Sequence, residues 1–246
     1  SLNLLFDNCA ADEVCNEKYP ELRSTFYALV QRLNKNPIII EVKEKGFENA
    51  IPVEITGVDV INLAYDSLNY PHGIANLPSS IYSASKGNYE ALIPMAEYKL
   101  KGDGFIWGMR YSVWCREEMP FQSRRRILLQ TQRYSNLKGF KIQGAMHAIC
   151  EIWNVSPAKP IENEPVVNNV PTLVLAGEYD PNTPPVWGRL VSENFSNSYF
   201  YKFKGMGHLI NFSSRCGNDM IAEFFSKPNK APNSDCMKEM NGVKFK

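Results

Sequence analysis

The chain has 246 residues and a net charge of +1, with 44% apolar and 22% charged residues. That balance is ordinary for a globular protein and offers no electrostatic basis for holding nucleic acid or an anionic membrane. No stretch approaches the roughly 18 consecutive apolar residues that a membrane-crossing helix needs, and three scattered histidines argue against a metal centre, so no cofactor is expected.

The first residues, "SLNLLFDNCAADEVC", lack the basic start and long apolar core of a signal peptide. They also lack an initiating Met, so the sequence is expected to begin within a longer protein or just after a cleavage point. "PELRSTFYALVQRLNKNP" spaces Leu22, Phe26, Leu29, Val30 and Leu33 along one helical face, with Pro20 before it and Pro37 after it. "IIIEV" and "IPVEITG" flank a polar connection and predict a β-hairpin. "VDVINLAYDSL" predicts a short amphipathic helix. "LPSSIYSAS" and "NYEALIPMAEYKL" predict two more, parted by Gly87. "FIWGMRYSVWC" is aromatic and β-prone, whereas "SRRRILLQTQRY" and "GFKIQGAMHAICEIW" read as helices. A Pro- and Asn-rich linker, "NVSPAKPIENEPVVNNV", follows.

Beyond the linker the pattern changes. "PTLVLAGEYD" is a continuous apolar run of the kind a strand shows when both its faces are covered. "PPVWGRLVSENF" reads as a helix, "SYFYKFKG" as a second strand and "SRCGNDMIAEFFSKP" as a closing helix. Strand, helix and strand in succession predict a βαβ unit. Asp180 and His208 fall just past the two strands, at the edge where open α/β sheets carry their chemistry. A carboxylate that holds one imidazole nitrogen leaves the other free to take a nucleophile's proton. Gly205 and Gly207 allow the tight turn before His208, and Thr183 is a candidate helix cap ahead of Pro184. Taken singly, each of the pair is an ordinary turn aspartate or surface histidine. Their order and spacing favour a catalytic acid and base.

The six cysteines are Cys9, Cys15, Cys115, Cys150, Cys216 and Cys236, with no C-x-x-C pair. An even count points to as many as three disulfides and a place outside the cytosol, secreted or in the periplasm or cell envelope. Six buried thiols in a cytosolic protein is the alternative. Sequons at Asn154, Asn194 and Asn211 are no more than an Asn-rich chain produces by chance.

"CAADEVC", "ITGVDVINLAYDSL", "YSVWCRE", "CEIWNVSPAKP", "GEYDPNTPP", "GMGH" and the last two cysteines together resemble the TAP-like group of α/β-hydrolases, the secreted prolyl and tripeptidyl aminopeptidases. The resemblance implies Asp180 as triad acid and His208 as triad base. It implies a partial α/β-hydrolase fold, with residues 1–153 a mainly helical cap that includes the hairpin. Residues 154–246 are then the last βαβ unit and closing helix of the core. It also implies the pairs Cys9–Cys15, Cys115–Cys150 and Cys216–Cys236. In such proteins the nucleophile sits in a Gly-x-Ser-x-Gly elbow ahead of the cap. This sequence contains no such elbow. The nearest match, "SASKG" around Ser85, lacks the preceding strand that an elbow requires.

Exopeptidases must hold a free α-amine, which a carboxylate does well. The resemblance makes Glu117 the candidate, with Glu118 beside it; either is otherwise a solvated glutamate. Trp107, Trp114 and Phe121 are read as core, Arg124 to Arg126 as a solvated helix start, and His72 and His147 as structural or exposed. The expectation is therefore the C-terminal part of a secreted serine exopeptidase with a peptide as substrate. The partner is the missing N-terminal half of the same protein, and this chain alone is expected to be inactive. The alternatives are an esterase of the same fold and a non-catalytic remnant or binding module.

Overall fold

The computed structural model describes residues 1–44, 46–102, 106–137 and 146–246. Contacts group them into two compact units, one of Ser1–Phe26, Leu63–Asn88 and Pro165–Lys246, the other of Tyr27–Asn62 and Tyr89–Glu164. The units interleave along the chain.

Helices α1 (Leu2–Ala11), α2 (Glu13–Lys18) and α3 (Leu22–Lys35) come first. Asp12 separates α1 from α2. Its extended backbone ends the one, and its carboxylate accepts the Cys15 N–H at 2.8 Å to cap the other. That abrupt junction brings Cys9 and Cys15 into a disulfide. In α3 the five predicted apolar positions are all buried, each contributing about 2 kcal/mol of apolar transfer. Strands β1 (Ile38–Val42) and β2 (Ile51–Ile55) form the predicted antiparallel hairpin, with Ile38 opposite Ile55. Helix α4 (Gly57–Ser67) follows, its start fixed by the Asp59 carboxylate, which accepts the Thr56 N–H and hydroxyl at 2.7 and 2.9 Å.

Two predicted elements take a different form. "LPSSIYSAS" is only the second half of α5 (Pro71–Ser85), which begins on a proline at its first turn and carries Pro78 in its interior. Pro78 forfeits one backbone hydrogen bond, but it is buried together with Ile74, Leu77, Ile81 and Ala84, and that apolar face outweighs the loss. Helix α6 (Ile93–Lys101) is next. Then "WGMRYSV", expected to be extended, is helix α7 (Trp107–Val113), and the chain continues as a π-helical turn over Trp114–Glu118. Helical spacing puts Trp107 against Tyr111 and the Arg110 guanidinium 3.6 Å from the Trp114 ring centre. These i, i+4 contacts, with burial of Cys115, override the β-propensity of the aromatic residues.

Ser123 caps α8 (Arg124–Arg133), its hydroxyl accepting the Arg126 N–H. The described part of the next predicted helix is α9 (Met146–Trp153); its start, residues 139–145, lies outside the described residues. Cys115–Cys150 joins the π-helical turn to α9, with Met119 and Met146 buried around it. Trp107 is partly exposed rather than core, while Trp114 packs against this cluster.

Past the linker lie β3 (Thr172–Gly177), α10 (Pro185–Glu193), β4 (Ser198–Phe203), α11 (Ile210–Ser213) and α12 (Arg215–Ser226). The two strands are parallel, with Thr172 opposite Ser198 and Gly177 opposite Phe203. Gly188 of α10 lies close over Val174 and Phe200 on one face, and α11 and α12 pack on β3. The apolar run of β3 was expected to be covered on both faces. Only Ala176 and Gly177 of this strand are buried, because the sheet has two strands among the described residues and leaves Leu173 to Leu175 half-covered. Cys216–Cys236 ties the final stretch back to α12. All three disulfides are the pairs the resemblance implies, and no helix of the described residues is long and apolar enough to cross a membrane.

Candidate active site

The ends of β3 and β4 are laced together by main-chain bonds. The Glu178 N–H donates to Phe203 O at 3.0 Å and the Tyr179 N–H to Met206 O at 2.8 Å. The Glu178 carboxylate accepts the Gly205 N–H at 3.0 Å and sits 3.4 Å from the Lys202 ammonium. This lacing sets the two following turns side by side, and it works only with glycine at two places. A Cβ on Gly177 would lie 1.8 Å from the Gly207 carbonyl oxygen, and one on Gly207 would lie 2.2 Å from the Leu68 carbonyl oxygen. Leu209, directly after the histidine, holds a left-handed φ of 59°, a strained state that typically costs about 1–3 kcal/mol and is often stored beside functional groups.

Asp180 is 4% exposed. Its Oδ2 lies 2.8 Å from His208 Nδ1. A carboxylate oxygen only accepts, so Nδ1 carries the proton and Nε2 is the free, basic nitrogen. The same Oδ2 accepts the Thr183 hydroxyl at 2.8 Å, and Oδ1 accepts the Asn182 and Thr183 N–H groups at 2.8 and 2.9 Å. Burial pushes the Asp180 carboxyl up. The hydrogen bonds from His208, from both donors of Thr183 and from the Asn182 N–H outweigh it, so the group stays below its ordinary value. Thr183 is thus not the helix cap expected of it: α10 begins behind Pro184 with no side-chain cap, and the hydroxyl serves Asp180.

His208 borders a cavity of about 590 Å³ that it shares with Asp180 and Thr183, with Leu175, Ile221 and Phe224 among its apolar walls. The His208 side chain keeps 30% of its surface exposed, enough to be reached. Among the described residues no serine hydroxyl bonds to His208. Ser1 donates to the Asp180 main-chain oxygen at 2.7 Å, and Ser85, at the end of α5, donates to Tyr82 O at 2.7 Å as an ordinary helical serine. No group of His, Cys, Asp and Glu fit to hold a metal occurs among the described residues.

Asp180 and His208 are brought together. Glu117 and Glu118 belong to the other compact unit, both exposed in the π-helical turn rather than after a strand. Asn182 and, except as a helix cap, Thr183 are not singled out by the sequence, nor is Glu178. The first two had a legible signal, since Asp-x-Asn-Thr is the pattern of an aspartate that accepts the N–H groups two and three residues on. Glu178 had none.

A parallel βαβ frame with a carboxylate–imidazole pair beyond its strand ends is an arrangement of the α/β class. The family model described as "TAP-like protein" matches residues 140–236, and this portion of the chain is TAP-like and of α/β-hydrolase type. No curated protein and no solved structure matches the chain.

Proposed function

We propose that the chain supplies the acid and base of a serine exopeptidase that removes amino-terminal residues or short peptides. His208 Nε2 takes the proton of an attacking serine and returns it to the leaving amine, while Asp180 holds the ring and stabilises the imidazolium. The observation that carries this reading is the 2.8 Å contact from Asp180 Oδ2 to His208 Nδ1, with the carboxylate closed by three further donors. The serine and the oxyanion donors come from a segment outside this sequence. Support for a completing segment lies in β3, which is paired only on its β4 side among the described strands and is flanked by exposed Trp187 and Leu190 of α10 and Phe225 of α12. An open, apolar-flanked edge of this kind is normally covered. In this reading the mainly helical stretch to residue 153 is a cap, and Glu117 anchors the substrate amine. Three disulfides accord with secretion or a periplasmic location.

The apolar walls of the cavity suit the acyl chain of an ester as well, so an esterase is the second reading. The protein that includes the upstream sequence should cleave aminoacyl anilides with a free amine and leave N-acetylated ones largely intact. Glu117→Gln should raise KM for the free-amine substrate about tenfold or more, the range for a lost charge-assisted hydrogen bond. Equal rates on acetylated substrates and on short esters would favour the esterase. No turnover of either class would leave a binding module.

A further inference from the structure

The end of α4 meets both turns of the pair. Asn182 sits between Asp180 and this helix end. Its main-chain N–H donates to Asp180 Oδ1 at 2.8 Å, its side-chain amide nitrogen donates to Asn69 Oδ1 at 2.5 Å, and its side-chain oxygen accepts the Tyr65 hydroxyl. The Asn69 amide in turn donates to Tyr65 O at 3.0 Å, one of the carbonyls at the helix end, and reaches Asp66 O at 3.4 Å, which also accepts the Asn69 main-chain N–H at 3.1 Å. Tyr65, Asn182 and Asn69 therefore form a closed ring of hydrogen bonds. The second turn is seated by shape. Gly207 lies so close to the main chain of Leu68 and Asn69 that a Cβ there would come within 2.2–2.4 Å of it.

We propose that the C-terminal end of α4 is a positioning element for the acid–histidine pair, with Tyr65 and Asn69 fixing the Asp180 turn through Asn182 and the main chain of Leu68 and Asn69 seating the His208 turn. The proposal rests on reading Asp180 and His208 as acid and base. Tyr65, Asn69 and Asn182 are not among the residues that line the cavity, and these contacts reach the pair through its two turns. The geometry of the pair is then a property of three segments far apart in the chain. A shift of Asn182 withdraws a donor from Asp180 Oδ1 and turns the carboxylate. A shift at Leu68 moves the ring toward or away from it. Near-ångström placement of such groups has large effects on reactivity.

The test is ¹⁵N NMR of the chain with labelled histidine, reading which His208 nitrogen is protonated and how fast its proton exchanges with water. In the wild type, Nδ1 carries the proton and exchanges slowly. Tyr65→Phe and Asn182→Ala should each speed that exchange roughly fivefold or more, the factor for one lost hydrogen bond, and populate the Nε2–H tautomer. Near-wild-type exchange and tautomer in folded variants would overturn the proposal, even if their melting temperature falls. If Asn182→Ala does not fold, Tyr65→Phe decides, since it removes a single hydroxyl. A wild-type His208 with no proton on Nδ1 would instead sink the acid–base reading itself.

Discussion

At the residue scale, Asp180 carries the most consequence for its size. A buried carboxylate with four donors is held ionised, and its one contact with His208 selects the tautomer. Asp180→Asn should lower kcat of the intact enzyme by about 10³–10⁴-fold, the range for misplacing a triad imidazole, as steady-state kinetics will show. The same residue sets an acid-side effect on folding. Its folded pKa lies below the ordinary value of 3.8, so its stabilising contribution is complete above that value and disappears as pH falls through the lower folded one. The stability gap between wild type and Asp180→Asn, measured by denaturant melts, should therefore shrink as pH is lowered through that window and stay constant above about pH 5. Gly207→Ala places a methyl group against the Leu68 carbonyl. It should cost about 1–3 kcal/mol of overpacking, and, being beside His208, slow turnover as well. An alanine variant with unchanged melting would mean the turn is looser than described.

At the element scale, legibility followed how local the deciding interactions are. The faces of α3 and the β1–β2 hairpin could be read because spacing within one segment decides them. The pairing of β3 with β4 was legible because a strand, a helix and a strand in quick succession leave few arrangements. "WGMRYSV" was read as extended because its aromatic residues favour strands. What makes it a helix is the ring contacts one turn apart and the anchoring of Cys115 to Cys150, a residue 35 positions away. The ring of Tyr65, Asn69 and Asn182 had no signal at all, because its members are ordinary residues until the fold joins them. The cysteine pairs follow the resemblance, and they should differ in worth. Loop separations of 35, 20 and 6 residues rank their removal at about 4, 3 and 2 kcal/mol by chain entropy. Paired Cys→Ser variants, compared by urea melts, should lose stability in that order.

At the scale of the whole molecule, the TAP-like match over residues 140–236 covers β3, β4, α10 and the acid–histidine pair. The catalytic reading makes this chain half of a site. The chain alone should not hydrolyse aminoacyl anilides, and its unreduced mass should fall six hydrogens below the free-thiol value, given three disulfides. Robust turnover would reveal a nucleophile within the sequence, and six alkylatable thiols would refute the covalent frame. The most direct measurement is the rate at which a serine-reactive fluorophosphonate labels the protein that includes the upstream sequence, with His208 intact or changed to alanine. The account predicts labelling of one serine in the wild type and at least about a hundredfold slower labelling in His208→Ala, the lower bound for loss of a general base. Undiminished labelling of the alanine variant would show that His208 is not the base.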